Sequence, residues 1–385
     1  MPLYARDFGA LGNGVANDAP AIQRAIDEAA RQQQLLIIDQ GVYKITSSLR
    51  ARNGTNMSAY GATLATYITA LGNPGQNIPT VLVDGVSNVT LSGLSINGRK
   101  SAFAHTEYKA GVCINKSSNV TIIDGFFYDC KGDGFITNSR FAGQRNYNLV
   151  VRTTRCTGNY RLGAALTDIT GALIEDCHFD KNAGTSPEGG FDIEPDTALA
   201  YVRDIVIRRC TFNNNGNTRR GDGAGFNISL KADSAPDRQG GILVENCTIA
   251  NNAIMGIVSY FTRDTTFRNV LVTKNRIAGY AFQGVDHVNV LIEGGEISLN
   301  NGDGIIVPRD ATDHAHGFVV DGVDILNNSL IKDGIRINGN ARDVEIKNNT
   351  IHGHRYGVSV FGDSVPYVTL DNNDLSGNNA ATNIT

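Results

Sequence analysis

The chain has 385 residues, 41% of them hydrophobic, 19% charged and 43 of them glycine, enough to bury one large core or two ordinary ones. A formal net charge of −4 with no run of like charge gives no electrostatic footprint for nucleic acid. No stretch approaches the ~18 consecutive apolar residues of a membrane span, and "MPLYARDFGALG" lacks the basic and apolar regions of an export signal, so neither a nucleic-acid nor a membrane partner is expected.

The first segment carries the one convincing helix. Asp18 is placed to cap it, Pro20 suits its first turn, and Ile22, Ala25, Ile26 and Ala29 recur at helical spacing. After Gln34 the pattern changes to strands with a turn at "DQG". Most of the remaining chain is a repeat. "AGVCI", "DGFIT", "LGAAL", "GGFDI", "AGFNI", "MGIVS", "AGYAF", "DGIIV", "DGIRI" and "YGVSV" align on Gly111, Gly134, Gly163, Gly190, Gly225, Gly256, Gly279, Gly304, Gly334 and Gly357, which stand 23 to 35 residues apart. Between them run further strand patterns such as "VTIIDG", "ALIEDC" and "ILVENC", so each unit holds at least two short strands and an Asn-rich turn.

Units of this length cannot bury an apolar face alone and must stack. The expected fold is all-β, a single-stranded right-handed parallel β-helix of about ten to twelve rungs with an N-terminal capping helix. One domain over 1–385 is expected, with cap and first strands in 1–50 and rungs in 80–375. The helix would cover the apolar core and the open sheet edge of the first rung. Cys130, Cys156, Cys177, Cys210 and Cys247 recur in similar settings without a CxxC pair, which predicts a column of small buried free thiols.

Stacking makes equivalent positions neighbours, about 4.8 Å apart. The first residue after each glycine is mostly apolar and should face in: Phe135, Phe191, Phe226, Ile257, Tyr280, Ile305 and Ile335. The second residue should face out, giving Cys113, Ile136, Ala165, Asp192, Asn227, Val258, Ala281, Ile306, Arg336 and Ser359. In "GGFDIEPD" three acids fall at alternate positions, Asp192, Glu194 and Asp196, and in an extended strand they would share one face. The alignment sets Asn227, Ser229 and Lys231 on one side of them and Thr167 and Asp168 on the other, with Arg140 and Tyr260 one rung further out. Three like charges at ~7 Å spacing need a cation, a basic neighbour or a retained proton. The longest repeat units flank this patch, and their extra segments, which carry Arg220, could wall a groove.

"DFGALGNGVANDAPAIQRAIDEA", a "GVYKI" strand and the repeats together resemble the pectate-lyase-like superfamily: pectate lyases, polygalacturonase-type hydrolases, alginate C5-epimerase modules and phage tailspike depolymerases. The resemblance implies a β-helix acting on a polysaccharide, in an extracellular or phage-associated setting, as a monomer or homotrimer. It transfers no catalytic residues. The Asp-Pro-His-Glu motif of the epimerases is replaced here by "FDIEPD", and "HGHRYG" does not reproduce the Gly-His-Gly of the hydrolases.

Two chemistries suit the patch. In hydrolysis, one carboxylic acid protonates the leaving oxygen while another carboxylate activates water or attacks. Glu194 would then be general acid or nucleophile, Asp192 its partner, and Asp196 or Asp168 the residue that positions water, with Arg140, Thr167, Asn227, Ser229, Tyr260 and Arg220 binding substrate. In β-elimination or C5-epimerisation of an acidic polysaccharide, Asp192, Glu194 and Asp196 would hold Ca²⁺ and Lys231 would remove the C5 proton. Hydrolysis is slightly favoured, because acids outnumber the single aligned base. A non-catalytic glycan-binding tailspike or adhesin is the third reading.

Overall fold

A computed structural model of the chain describes residues 1–72, 77–102, 104, 106–138, 145–217, 223–284, 287–307 and 314–385. Their contacts fall into two compact units, Met1–Glu188 and Gly189–Thr385.

In the first unit the helix Ala19–Gln32 forms where the apolar spacing predicts it and buries Ala19, Ala21, Ile22, Ala25, Ile26 and Ala29. Asp18 stands at the N-cap without making the capping bond; its Oδ1 accepts the backbone N–H of Leu11 at 2.7 Å instead. The stripe packs against the first strands, among them Leu35–Ile37 and Leu49–Arg50.

Each complete rung has three strands, one more than the minimum legible in the repeat. In the first unit one rung consists of Val112–Asn115, Ser118–Ile123 and Phe126–Tyr128, and the next of Phe135–Asn138, Tyr147–Arg152 and Arg155–Thr157. All pair in parallel, Val112 with Phe135, Val120 with Leu149 and Phe127 with Cys156. The second unit repeats the plan, with corners smoothed where Arg263–Thr273 and His287–Ser298 run on without a break.

The corners explain the Asn and Asp content. Asn119, Asn148, Asp124, Asp176, Asp204 and Asn246 all sit at φ between 50° and 58°, a left-handed conformation these two residue types tolerate best among non-glycines. The repeat glycines answer to a different need. A Cβ on Gly256 would lie 2.3 Å from Cγ1 of Val272 and 2.7 Å from the carbonyl oxygen of Gly279, so the rungs approach too closely there for any side chain.

Inward faces are as the alternation predicts, with Phe135, Phe191, Phe226, Ile257, Tyr280, Ile305 and Ile335 at 0–1% exposure. Phe191 stacks on Phe226 with ring centroids 5.6 Å apart. The six cysteines are free and buried, but not in one column. Cys177, Cys210 and Cys247 fill the corner before the third strand, Cys156 lies within that strand and Cys130 follows it. The shared "x-x-Cys" spelling conceals three positions, because units of unequal strand length place it differently.

A buried polar ladder runs through the second unit. Asn215, Asn252, Asn275 and Asn300 each donate a side-chain N–H to the next asparagine at 2.7–3.1 Å, ending on Asn328. Asn328 Nδ2 meets Nε2 of His354 at 3.0 Å. Backbone N–H groups join the same acceptors, as from Asn252 to Asn275 at 3.0 Å, which pairs donors that burial would otherwise strand. His354 is 0% exposed.

Candidate functional site

The outer column predicted from the glycine alignment is present in each unit. Cys113 pairs with Ile136 and Ile136 with Ala165 in the first. In the second, Asp192 pairs with Asn227, Asn227 with Val258, Val258 with Ala281, Ala281 with Ile306 and Ile306 with Arg336.

The three acids do not share one face. The strand is only Phe191–Ile193, so the alternation stops after Asp192. Asp192 is 3% exposed on the outer side of that strand, Glu194 is half-buried beyond its end and Asp196 is exposed in a turn. Buried Pro195 separates the last two; its ring fixes φ and limits the extended run. Among the described residues no three His, Cys, Asp or Glu side chains gather as a metal donor set. The arrangement of Asp192, Glu194 and Asp196 therefore does not fit the Ca²⁺ centre that the elimination reading requires.

Asn227, 7% exposed, lies beside Asp192. Ser229 is half-buried and pairs with Phe261 rather than Tyr260, because a bulge shifts the register after Ile228. That bulge re-aims the strand and leaves Tyr260 56% exposed. Lys231 is half-buried at the start of a long excursion, where its backbone N–H donates to Oε1 of Gln239 at 2.7 Å. The excursion is tied down beside the acid-bearing turn: Ser234 Oγ donates to the carbonyl of Ala198 at 2.8 Å, and Gln239 Nε2 to those of Thr197 and Ala200 at 3.1 and 3.2 Å. Residues 231–239 are thus held against the Thr197–Ala200 turn that follows the acids. Glu194 makes no side-chain hydrogen bond or ion pair among the described residues.

In the first unit, Thr167 and Asp168 are engaged by the fold. Thr167 Oγ1 donates to the carbonyl of Thr137 at 2.9 Å, and Asp168 Oδ1 accepts the N–H of Asn146 at 3.1 Å. Arg140 and Arg220 lie outside the described residues.

The family model for the right handed beta helix region matches residues 76–235 and 228–385. The chain belongs to that family. The Bacillus subtilis protein YclG, itself uncharacterized, is 22% identical over 92% of this chain and 72% of its own length. The mannuronan C-5 epimerase AlgE4 A-module of Azotobacter vinelandii superposes on the whole chain and on 99% of its own, with a TM-score of 0.71 at 18% identity. The Dettilon tailspike protein gp208 covers the whole chain with 68% of its own, at a TM-score of 0.62 and 14% identity. At these identities the likeness shows the fold, and the β-helix family places strands without assigning chemistry.

Proposed function

We propose that this β-helix protein is a carbohydrate-active enzyme that cleaves glycosidic bonds of a polysaccharide lying across the outer face of its second unit. The observation that carries the reading is Asp192, a nearly buried carboxylate on the outer side of a strand, next to Asn227 and followed by half-buried Glu194 just past the strand end. A carboxylate is costly to hold so far from solvent, and acids kept at that cost concentrate at functional sites. The shared fold with a mannuronan C-5 epimerase module and a tailspike supports a glycan as the partner.

Hydrolysis is the favoured chemistry, because the acids are separated rather than clustered. Glu194, the more open of the pair, serves as general acid or nucleophile, and Asp192 as its carboxylate partner. Glu194 stands just past the strand end at Ile193, so the separation of the two carboxyl groups, which decides between inversion and retention, is set by their side chains. Asn227 and Ser229 bind sugar hydroxyls.

The test is incubation of the full chain with neutral and acidic polysaccharides, following reducing ends and the ultraviolet absorbance of unsaturated products in parallel. Reducing ends without that absorbance are expected, and Glu194→Gln and Asp192→Asn should each lower kcat by about 10²- to 10⁴-fold. Near wild-type turnover in Glu194→Gln sinks the assignment. Unsaturated products that depend on Lys231 would make the protein a lyase, and tight binding without turnover would make it a glycan-binding module.

A further inference from the structure

Along the column that starts at Asp192 the surface changes character. Val258 and Ala281 are covered by Ala224, Ile254 and Met255, an apolar saddle. Past it lies a groove of about 540 Å³, where Met255, Ile277 and Ile306 meet Arg276, Lys332 and Arg336 around the 5%-exposed Asp303.

Asp303 differs from the other aspartates that immediately precede a repeat glycine in "KGDG", "NGDG" and "IKDG". Asp133 is paired with Arg161 at 2.9 Å and Asp333 with Arg355 at 2.9 Å, in each case the residue two positions before the next repeat glycine. The corresponding residue for Asp303 is Lys332. Asp303 makes no ion pair among the described residues, and its Oδ1 accepts the backbone N–H of Asp333 at 2.7 Å. Burial holds its pKa above the ordinary carboxylate value; the hydrogen bond from the backbone N–H of Asp333 opposes this, the Asp333 charge adds to it, and Lys332 and Arg336 oppose it. In two rungs the fold supplies a guanidinium for this buried acid; in the third it leaves the acid facing an open groove lined with cations.

We propose that this groove is a glycan subsite that selects a carboxylate-bearing sugar unit. Arg276, Arg336 and Lys332 receive the carboxylate, the two guanidiniums with the forked geometry that suits it. Asp303 receives a ring hydroxyl, and Met255, Ile277 and Ile306 support an apolar ring face. From Asp192 to Arg336 is five rung steps, about 24 Å, so one oligosaccharide lying along the column would span both places. The inference rests on reading the protein as glycan-handling, and is independent of which reaction Asp192 serves.

Isothermal titration of the full chain with hexagalacturonate and with a neutral cellohexaose tests it. Hexagalacturonate is expected to bind at least about tenfold more tightly. Arg336→Gln should remove most of that preference without changing affinity for the neutral oligosaccharide. Arg336→Lys, which keeps the charge and loses the fork, should retain part of it. Equal affinities in the wild type, or a preference unchanged in a folded Arg336→Gln protein, overturn the proposal. If Arg336→Gln does not fold, Lys332→Gln, on an exposed turn, carries the same comparison. Absent turnover with an intact preference would defeat the enzyme reading alone, and equal affinities would defeat the subsite alone.

Discussion

At the scale of single residues, burial separates side chains that the sequence lists alike. His287 and His354 are both fully buried, and desolvation is the main reason each has a pKa lowered to about 4 from 6.5. A proton on Nε2 of His354 would also face the Asn328 donors that now point at it. Both rings are therefore neutral in the fold, and the unfolded chain binds more protons between pH 6.5 and 4. Stability should be complete above pH 6.5 and fall as the pH drops, by about 1.4 kcal/mol per pH unit for each histidine, levelling off below pH 4. Urea melts across that window check the slope. His354→Asn, which would continue the ladder with the residue its other rungs use, should remove about half of it while leaving neutral-pH stability close to wild type. The cysteines behave consistently with their burial, which pushes the Cys130 thiol up to about 12. None of the six should react with iodoacetamide in the native protein at neutral pH, and all should react in denaturant.

At the scale of elements, the turn between rungs is built from hydrogen bonds that side chains make to the next rung. Asn275→Ala would strand the backbone N–H and side-chain N–H groups of Asn252, which both reach Oδ1 of Asn275. A loss of about 1–3 kcal/mol is expected in equilibrium unfolding, without loss of parallel-strand circular dichroism. Gly256→Ala should be worse, because its Cβ meets neighbouring-rung atoms at 2.3 and 2.7 Å and only backbone movement can relieve that. Both elements left marks in the sequence. The glycine column was visible as a repeat, whereas the ladder appeared only as an Asn-rich turn, since nothing in a run of asparagines says which of them point inward. The end of the strand after Ile193 was not visible either: the alternation of Asp192, Glu194 and Asp196 continues in the letters past the point where the backbone stops being extended.

At the scale of the whole molecule, the repeat predicts one cooperative domain over 1–385, and we propose that the two compact units unfold together. A single calorimetric transition whose calorimetric and van't Hoff enthalpies agree is expected; two resolved transitions would overturn it. The sequence by itself determined the all-β stacked architecture, the position of the helix, the inward apolar columns and the outward placement of Asp192 beside Asn227. Those follow from local periodicity and from a repeat that fixes which residues become neighbours. Only the tertiary structure decided that the three acids do not gather, that a bulge turns Tyr260 aside from Ser229, and that Asp303 faces a cationic groove without the arginine its counterparts receive. Each of these depends on where a strand ends or which side chain of the next rung arrives, and that is set by packing between rungs far apart in the chain, which no local pattern encodes.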